Sequence, residues 1–256
     1  MTSEINIAIH TARTAGQMLR ENFSKPHQVF YKGVIDIVTE VDRESQRLIF
    51  EMLKDAFPSY GLLGEESSQP IRTEGPIWIV DPLDGTTNYA RDYPLFAVSI
   101  ALEKNGEVVA GVVYNPLLDE LFAAEKGSGA TLNGAPVHVA QTQELGKALL
   151  ATGFPYDVWT NPVNNYAEWE RFMQRTMSVR CDGSAALDLC HVAAGRLDGY
   201  WELDVEAWDM AAGALIVQEA GGMVSLTSGE PLNLYQRNIL ASNGHLHESM
   251  LEMLRK

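Results

Sequence analysis

The sequence predicts an α+β protein built from layered sheets and helices, and three observations carry that expectation. Residues 1–58 hold two amphipathic helical patterns separated by an extended segment. Residues 95–139 read as an antiparallel meander, with Asn105-Gly106, Asn115-Pro116 and Asn133-Gly134 as turn signals between apolar runs. From residue 148 onward strands and helices alternate. A chain of 256 residues can bury a full core, and it carries no repeat, low-complexity segment or linker.

Taken in order, Ile5, Ile9, Ala12 and Leu19 recur at helical spacing and define a first helix. Tyr31–Val38 breaks that pattern and reads as a hairpin or extended segment. A second helix opens near Thr39 or Asp42, carries Leu48, Ile49, Met52 and Leu53, and stops before Pro58. Tyr60–Gly64 is a short strand, and Pro76–Val80 is a buried one, apolar and β-branched. In the meander, strands are expected at Phe96–Leu102, Val108–Tyr114, Leu121–Ala124 and Val137–Val139. The second half predicts strands at Ala148–Thr152, Ser178–Cys181 and Leu197–Leu203. Its helices are expected over Pro162–Met177, from Ser184 to a Gly195 cap, and from Trp208 to a Gly221 cap.

The formal charge of −15 excludes non-specific nucleic-acid binding, which needs clustered Lys and Arg. It also leaves few basic groups to hold a phosphate ester, so cations would have to neutralise one. The longest uncharged apolar stretch, Tyr93–Leu102, is too short to cross a bilayer. Residues 1–22 carry Glu4, Arg13, Arg20 and Glu21 within a helical pattern, unlike a signal peptide. Cys181 and Cys190 have no zinc spacing and are too few for a disulfide framework, so a cytoplasmic protein is expected.

Chemistry is expected at Asp81-Pro82-Leu83-Asp84-Gly85-Thr86-Thr87-Asn88. Asp81 ends a buried strand, and Pro82, lacking an amide hydrogen, is expected to turn the chain. Asp84 then returns towards Asp81, and Gly85 allows close approach of a ligand. Two carboxylates so placed suit a hard cation such as Mg²⁺. The amides of Gly85 and Thr86, opening a helix, suit a phosphate. Three more acidic sites lie at element ends, each with an ordinary alternative. Asp42 pairs with Thr39 as a capping box, and Asp209 follows Trp208 in a first helical turn favoured by the dipole. Glu65 and Glu66 follow a strand and would commonly be solvated loop charges.

Gly64-Glu65-Glu66-Ser67, Trp78 to Tyr89 around the central turn, and Trp208-Asp209-Met210-Ala211-Ala212-Gly213 resemble the inositol monophosphatase family in order and separation. Gly183-Ser184-Ala185-Ala186-Leu187-Asp188-Leu189 is most similar to bacterial members. The resemblance implies one αβαβα phosphatase domain, in which residues 1–140 form a metal-binding half and residues 141–256 complete the site. It implies two to three Mg²⁺ ions. Glu65, Asp81 and the Leu83 carbonyl would hold the first, Asp81, Asp84 and Asp209 the second, and Glu65 a third through waters. Thr86 with Asp42 would position and deprotonate the attacking water, and Gly85 and Thr86 would hold the phosphate. Ser184, Ala185 and Glu202 fall where the family contacts the alcohol; Asp84 and Asp209 also reach the substrate. Lys32 falls near the lysine of the family's mobile metal-site loop. Lithium inhibition and a homodimer are further implications.

Other hydrolytic routes lack their motifs: there is no HExxH zinc pair and no G-x-S-x-G nucleophile elbow. Gly146-Lys147-Ala148 is no Walker loop, and Gly127-Ser128-Gly129 misses the dinucleotide fingerprint. Thr87-Asn88-Tyr89 differs from the Lys-Gly-Phe of relatives acting on adenosine bisphosphate, which favours inositol monophosphate or another polyol phosphate. Fructose-1,6-bisphosphate and histidinol phosphate remain open as substrates. So does a regulatory role exerted through a protein partner; a simple acidic cation-binding protein would not need Thr86 or Gly85.

Overall fold

The structure, a computed structural model, describes residues 3–67 and 75–255. Helices α1 (Glu4–Asn22) and α2 (Glu40–Ala56) form one outer layer, and the short hairpin β1 (Val29–Tyr31) and β2 (Ile37–Thr39) joins them. The chain then builds a seven-stranded sheet in sequential order. Its strands are β3 (Gly61–Gly64), β4 (Ile77–Asp84), β5 (Ala97–Lys104), β6 (Glu107–Asn115), β7 (Glu120–Glu125), β8 (Ala130–Leu132) and β9 (Ala135–Pro136). Only β3 and β4 run parallel; every later neighbour is antiparallel. A single-turn helix α3 (Thr86–Ala90) leaves the end of β4.

The remaining strands form a five-stranded sheet. In space they run β11 (Ser178–Arg180), β10 (Leu149–Thr152), β12 (Gly199–Leu203), β14 (Asn238–Ser242) and β13 (Met223–Ser225). Helices α5 (Ala185–Ala193) and α6 (Ala207–Glu219) lie between the two sheets. Helices α4 (Tyr166–Met173) and α7 (His247–Leu254) cover the far face of the smaller one, which completes an αβαβα stack.

Strand periodicity explains this layering. Trp78 and Val80 of β4, with Val98, Ile100 and Leu102 of β5, point towards α1 and α2. Ile79, Ala97 and Ala101 point the other way, towards α5 and α6. Period-two alternation with both faces apolar is what a sheet buried between helices requires. Helix α6 is apolar all round, as a helix between two sheets must be. Small residues let it approach closely. A Cβ at Gly111 of β6 would stand 2.9 Å from the carbonyl oxygen of Ala212 and 3.0 Å from its Cα. Backbone cannot yield as a side chain can, so Gly111→Ala is expected to cost roughly 1–3 kcal/mol in chemical denaturation. Unchanged stability would contradict this packing.

Several boundaries differ from the sequence expectation. Strand β4 does not end at Val80: it runs to Asp84, with its register broken between Asp81 and Asp84. Pro82 is accommodated in that irregularity, where no ladder bond is asked of it. The last meander strands are β8 and β9, on either side of the Asn133-Gly134 turn, and Val137–Val139 is not a strand. There Val139 donates to Ala220 beyond α6 instead. Helix α4 starts at Tyr166 rather than Pro162 and ends at Met173 rather than Met177. Asn165, in the left-handed region at φ 67°, precedes it. Its buried side chain donates to Thr152 Oγ1 and accepts from Trp201 Nε1, each at 2.7 Å, and these bonds fix where α4 begins. Strands β13 and β14 and helix α7 were not anticipated from the sequence.

Candidate active site

The irregular end of β4 shapes a carboxylate corner. Leu83 N donates to Asp81 Oδ1 at 3.0 Å, an Asx turn closed on the strand itself. The buried Ser45 of α2 donates to the Pro82 carbonyl at 2.8 Å, holding the corner from outside. Gly85 follows at φ 91°, in the left-handed region. A Cβ there would meet the carbonyl oxygens of Leu95 and Gly183 at 3.0 and 3.2 Å, so glycine is needed both for conformation and for space. Thr86 then begins α3.

Asp42 unites the two readings open for it. Its Oδ2 accepts from Thr39 N at 2.9 Å and from Thr39 Oγ1 at 2.5 Å, so it caps α2. Its Oδ1 accepts from Thr86 Oγ1 at 2.8 Å, across a separation of 44 residues. The capping bonds orient the carboxylate, and the hydroxyl of Thr86 is its second partner. Burial raises the affinity of Asp42 for a proton, opposed by these same bonds.

Asp84 is held by the opening of α5. Its Oδ2 accepts from the Ser184 hydroxyl and, at 3.0 Å, from Ala186 N. Asp209, in the first turn of α6, accepts from Glu206 N at 2.8 Å through Oδ2. Glu65 and Glu66 are not free loop charges: both are largely shielded, and the Lys32 ammonium pairs with both, 2.9 Å from Glu65 Oε1. Lys32 arrives on the β1–β2 hairpin loop, a partnership 33 residues long in sequence that spacing alone did not secure. Asn88 also went unassigned, although it stands within the central motif. Its Nδ2 donates at 2.8 Å to the carbonyls of both Leu95 and Asp182, tying α3 to the loop before α5.

Desolvation, joined at Asp81 and Asp209 by repulsion between carboxylates, characterises the acidic set. Burial together with Glu65, Asp84 and Asp209 pushes the Asp81 carboxyl well above its ordinary range. Asp209 is raised by burial and then by Glu65 and Asp84. Glu65 is pushed up to about 7 by burial despite the pull of Lys32. Asp84 is raised to about 6, burial outweighing the donors from Ser184 and α5. Four converging carboxylates and neighbouring main-chain carbonyls form an all-oxygen donor set, which fits a hard cation such as Mg²⁺. An ion taken up by Glu65 would share it with the Lys32 ammonium or displace that group.

A stability consequence follows for the metal-free protein. A carboxyl whose folded pKa is raised binds more protons folded than unfolded, so stability falls as pH rises through that interval. With Glu65 near 7 and Asp84 near 6, the metal-free protein should lose thermal stability from about pH 5 to pH 8. Added Mg²⁺ should raise the melting temperature more at pH 8 than at pH 6. A pH-independent melting curve in chelator would contradict the raised values.

The corner opens into a cavity of about 680 Å³. Glu65, Asp81, Leu83, Asp84, Gly85, Thr86, Ser184, Ala185, Glu202 and Asp209 all line it, so the chain brings those expected residues together. Asp42 stands behind Thr86, fully buried. Glu202 is bonded to the Tyr200 hydroxyl and raised to about 7, chiefly by burial. Tyr156 and Trp159 line the mouth, and neither was anticipated because exposed loop aromatics carry no periodic signal.

The model of the inositol monophosphatase family matches residues 1–256. The inositol-1-monophosphatase of Synechocystis sp. is 45% identical, aligned over 98% of this chain and 88% of that protein. Among solved structures, the extragenic suppressor protein suhB from Bartonella henselae superposes with a TM-score of 0.93 at 41% identity, covering 100% of this chain and 99% of that one. Inositol monophosphatase from Anabaena (Nostoc) sp. gives a TM-score of 0.89 at 42% identity, over 98% and 94% of the two chains. A match along the whole chain, with relatives this similar in sequence and in fold, means that the protein belongs to the inositol monophosphatase family.

Proposed function

We propose that the protein is a Mg²⁺-dependent phosphomonoesterase that hydrolyses inositol monophosphate, or a related polyol phosphate, by direct attack of water. The observation that supports it most is the Thr86–Asp42 hydrogen bond placed at the edge of the four-carboxylate set. Glu65, Asp81 and the Leu83 carbonyl would hold one ion, and Asp81, Asp84 and Asp209 a second; Glu65 would reach a third through waters. When bound, such ions supply neutralisation of the ester and polarisation of its oxygens. The rest falls to the chain. Thr86 Oγ1 lies 2.8 Å from Asp42 Oδ1 and 3.1 Å from the Leu83 carbonyl; donating along the shorter contact, it can take the proton of the attacking water as it passes its own to Asp42. The Gly85 and Thr86 amides face the phosphate. Ser184, Ala185 and Glu202 meet the alcohol, for which a carboxylate is a suitable acceptor of hydroxyls. The chain acts as one domain, residues 1–140 supplying most metal ligands and residues 141–256 completing the pocket.

Phosphate release measured over inositol monophosphate, fructose-1,6-bisphosphate, histidinol phosphate and adenosine bisphosphate tests this reading. Inositol monophosphate should be turned over fastest, only with Mg²⁺, and with inhibition by lithium. Activity that survives exhaustive chelation, or a preference for adenosine bisphosphate, would overturn it. We also propose a homodimer, checked by sedimentation at micromolar concentration. No helix among the described residues is long and apolar enough to cross a membrane, and both cysteines are free thiols, which supports action in the cytoplasm.

A further inference from the structure

Asp182, Asp188 and His191 meet where the loop after β11 joins α5. One ligand atom from each lies within 4.8 Å of those from the other two. Asp188 and His191 are three residues apart on α5 and so share a face, and Asp182 reaches them from the preceding loop. No hydrogen bond or ion pair links the three side chains among the described residues.

A second observation singles out Asp188. The residue is 2% exposed, it borders the cavity, and its Oδ1 is buried with no hydrogen-bond partner among the described residues. An orphaned carboxylate oxygen in a protein interior is costly, because nothing replaces the water it gave up. Its electrostatic surroundings do not relieve it. Burial comes first, and Asp182, Glu202 and Asp84 add to it, all pushing the carboxyl well above its ordinary range. Arg196 is the cation that bears on His191, but its guanidinium is already clamped on Glu120 through both terminal nitrogens. Burial and Arg196 together keep the imidazole of His191 neutral at physiological pH, the form in which it can ligate.

We propose that Asp182, Asp188 and His191 form a second divalent-cation site, built from residues other than the catalytic carboxylates though Asp188 borders the same cavity, and suited to a zinc-like ion. One nitrogen and two carboxylate oxygens match the borderline transition ions; Mg²⁺, which demands oxygen ligands, is poorly served by an imidazole. Three protein ligands leave room for water at the ion. The position also gives the ion a task. The carbonyl of Asp182 accepts from Asn88 of α3 at 2.8 Å, and Ser184, two residues on, holds Asp84. Fixing Asp182 to α5 therefore braces the loop that joins the phosphate end of the site to its alcohol end.

Histidine-ring NMR of the whole protein, kept in saturating Mg²⁺ and titrated with Zn²⁺, tests the assignment. One equivalent of Zn²⁺ should move the His191 ring signals, with loss of the free-state signal in proportion to the ion added. Asp188→Asn should lose that response, and Asp209→Asn, which alters only the catalytic set, should keep it. The imidazole is only partly buried, so His191→Gln should fold even if Asp188→Asn does not; it identifies the moving signal and should bind one Zn²⁺ fewer by calorimetry. A His191 ring unmoved by Zn²⁺ overturns the proposal, as would an equal response in Asp188→Asn or an undiminished Zn²⁺ count in His191→Gln.

Discussion

Thr86→Ala is expected to lower turnover by on the order of 100-fold or more while leaving the Mg²⁺ requirement nearly unchanged. The substitution removes one hydroxyl and no charge, and that hydroxyl bonds Asp42 at 2.8 Å. Without it, Asp42 has no route to the attacking water. Asp42→Asn should lose turnover similarly, since an amide accepts a proton from Thr86 far less readily than a carboxylate. Residues that act as one unit are non-additive, so the double variant should fall little below either single one. Asp42 also caps α2 through Thr39, and its variant should additionally lose about 1 kcal/mol of stability. Steady-state kinetics beside thermal melts separates the two effects. Full turnover in Asp42→Asn with only an earlier melt would leave the residue a cap and nothing more.

Asp209→Asn should fail in a different way. The carboxylate is half-buried in the cavity wall, and desolvation, then repulsion from Glu65 and Asp84, raises its proton affinity well above the ordinary range. Removing one charge relieves that repulsion, so the chelated variant should melt at or above the wild-type temperature. A gain of 1 kcal/mol corresponds to roughly 2–4 °C in a protein of this size. Activity should fall, and the Mg²⁺ concentration for half-maximal turnover should rise. The rise in melting temperature that Mg²⁺ gives the wild type should shrink, because a ligand stabilises only as far as it binds the folded state. A functional site built of like charges sacrifices stability to bind cations, and these two measurements should move in opposite directions. An Asp209→Asn protein with wild-type Mg²⁺ dependence would remove this residue from the metal-binding set.

The legible parts of the chain were those written in local chemistry. Thr39-x-x-Asp42 announced a cap, Ser184 and Gly195 bracketed a helix, and Asn105-Gly106 and Asn133-Gly134 marked turns that the structure contains. The central motif was conspicuous because two aspartates, a proline and a glycine seldom fall together without a bend. Contacts long in sequence were not legible in that way. Nothing local ties Asp42 to Thr86 or Lys32 to Glu65; only likeness to a family placed them near one another. The start of α4 is decided by Asn165 reaching Thr152 and Trp201, both outside its own segment. Strand β14 pairs antiparallel with β12 and β13, so no alternation of strand and helix points to it. Pro82 misled because a proline interrupts a regular ladder but is tolerated in an irregular one.

Direct attack of water on phosphorus, with Thr86 and Asp42 taking its proton, is the centre of this account. The stereochemistry of hydrolysis tests it most directly, using an inositol phosphate made chiral at phosphorus with oxygen isotopes and sulfur. A single in-line displacement by water predicts inversion of configuration at phosphorus. Retention would require two successive displacements through a covalent phosphoenzyme, and would contradict the assignment of Thr86 and Asp42.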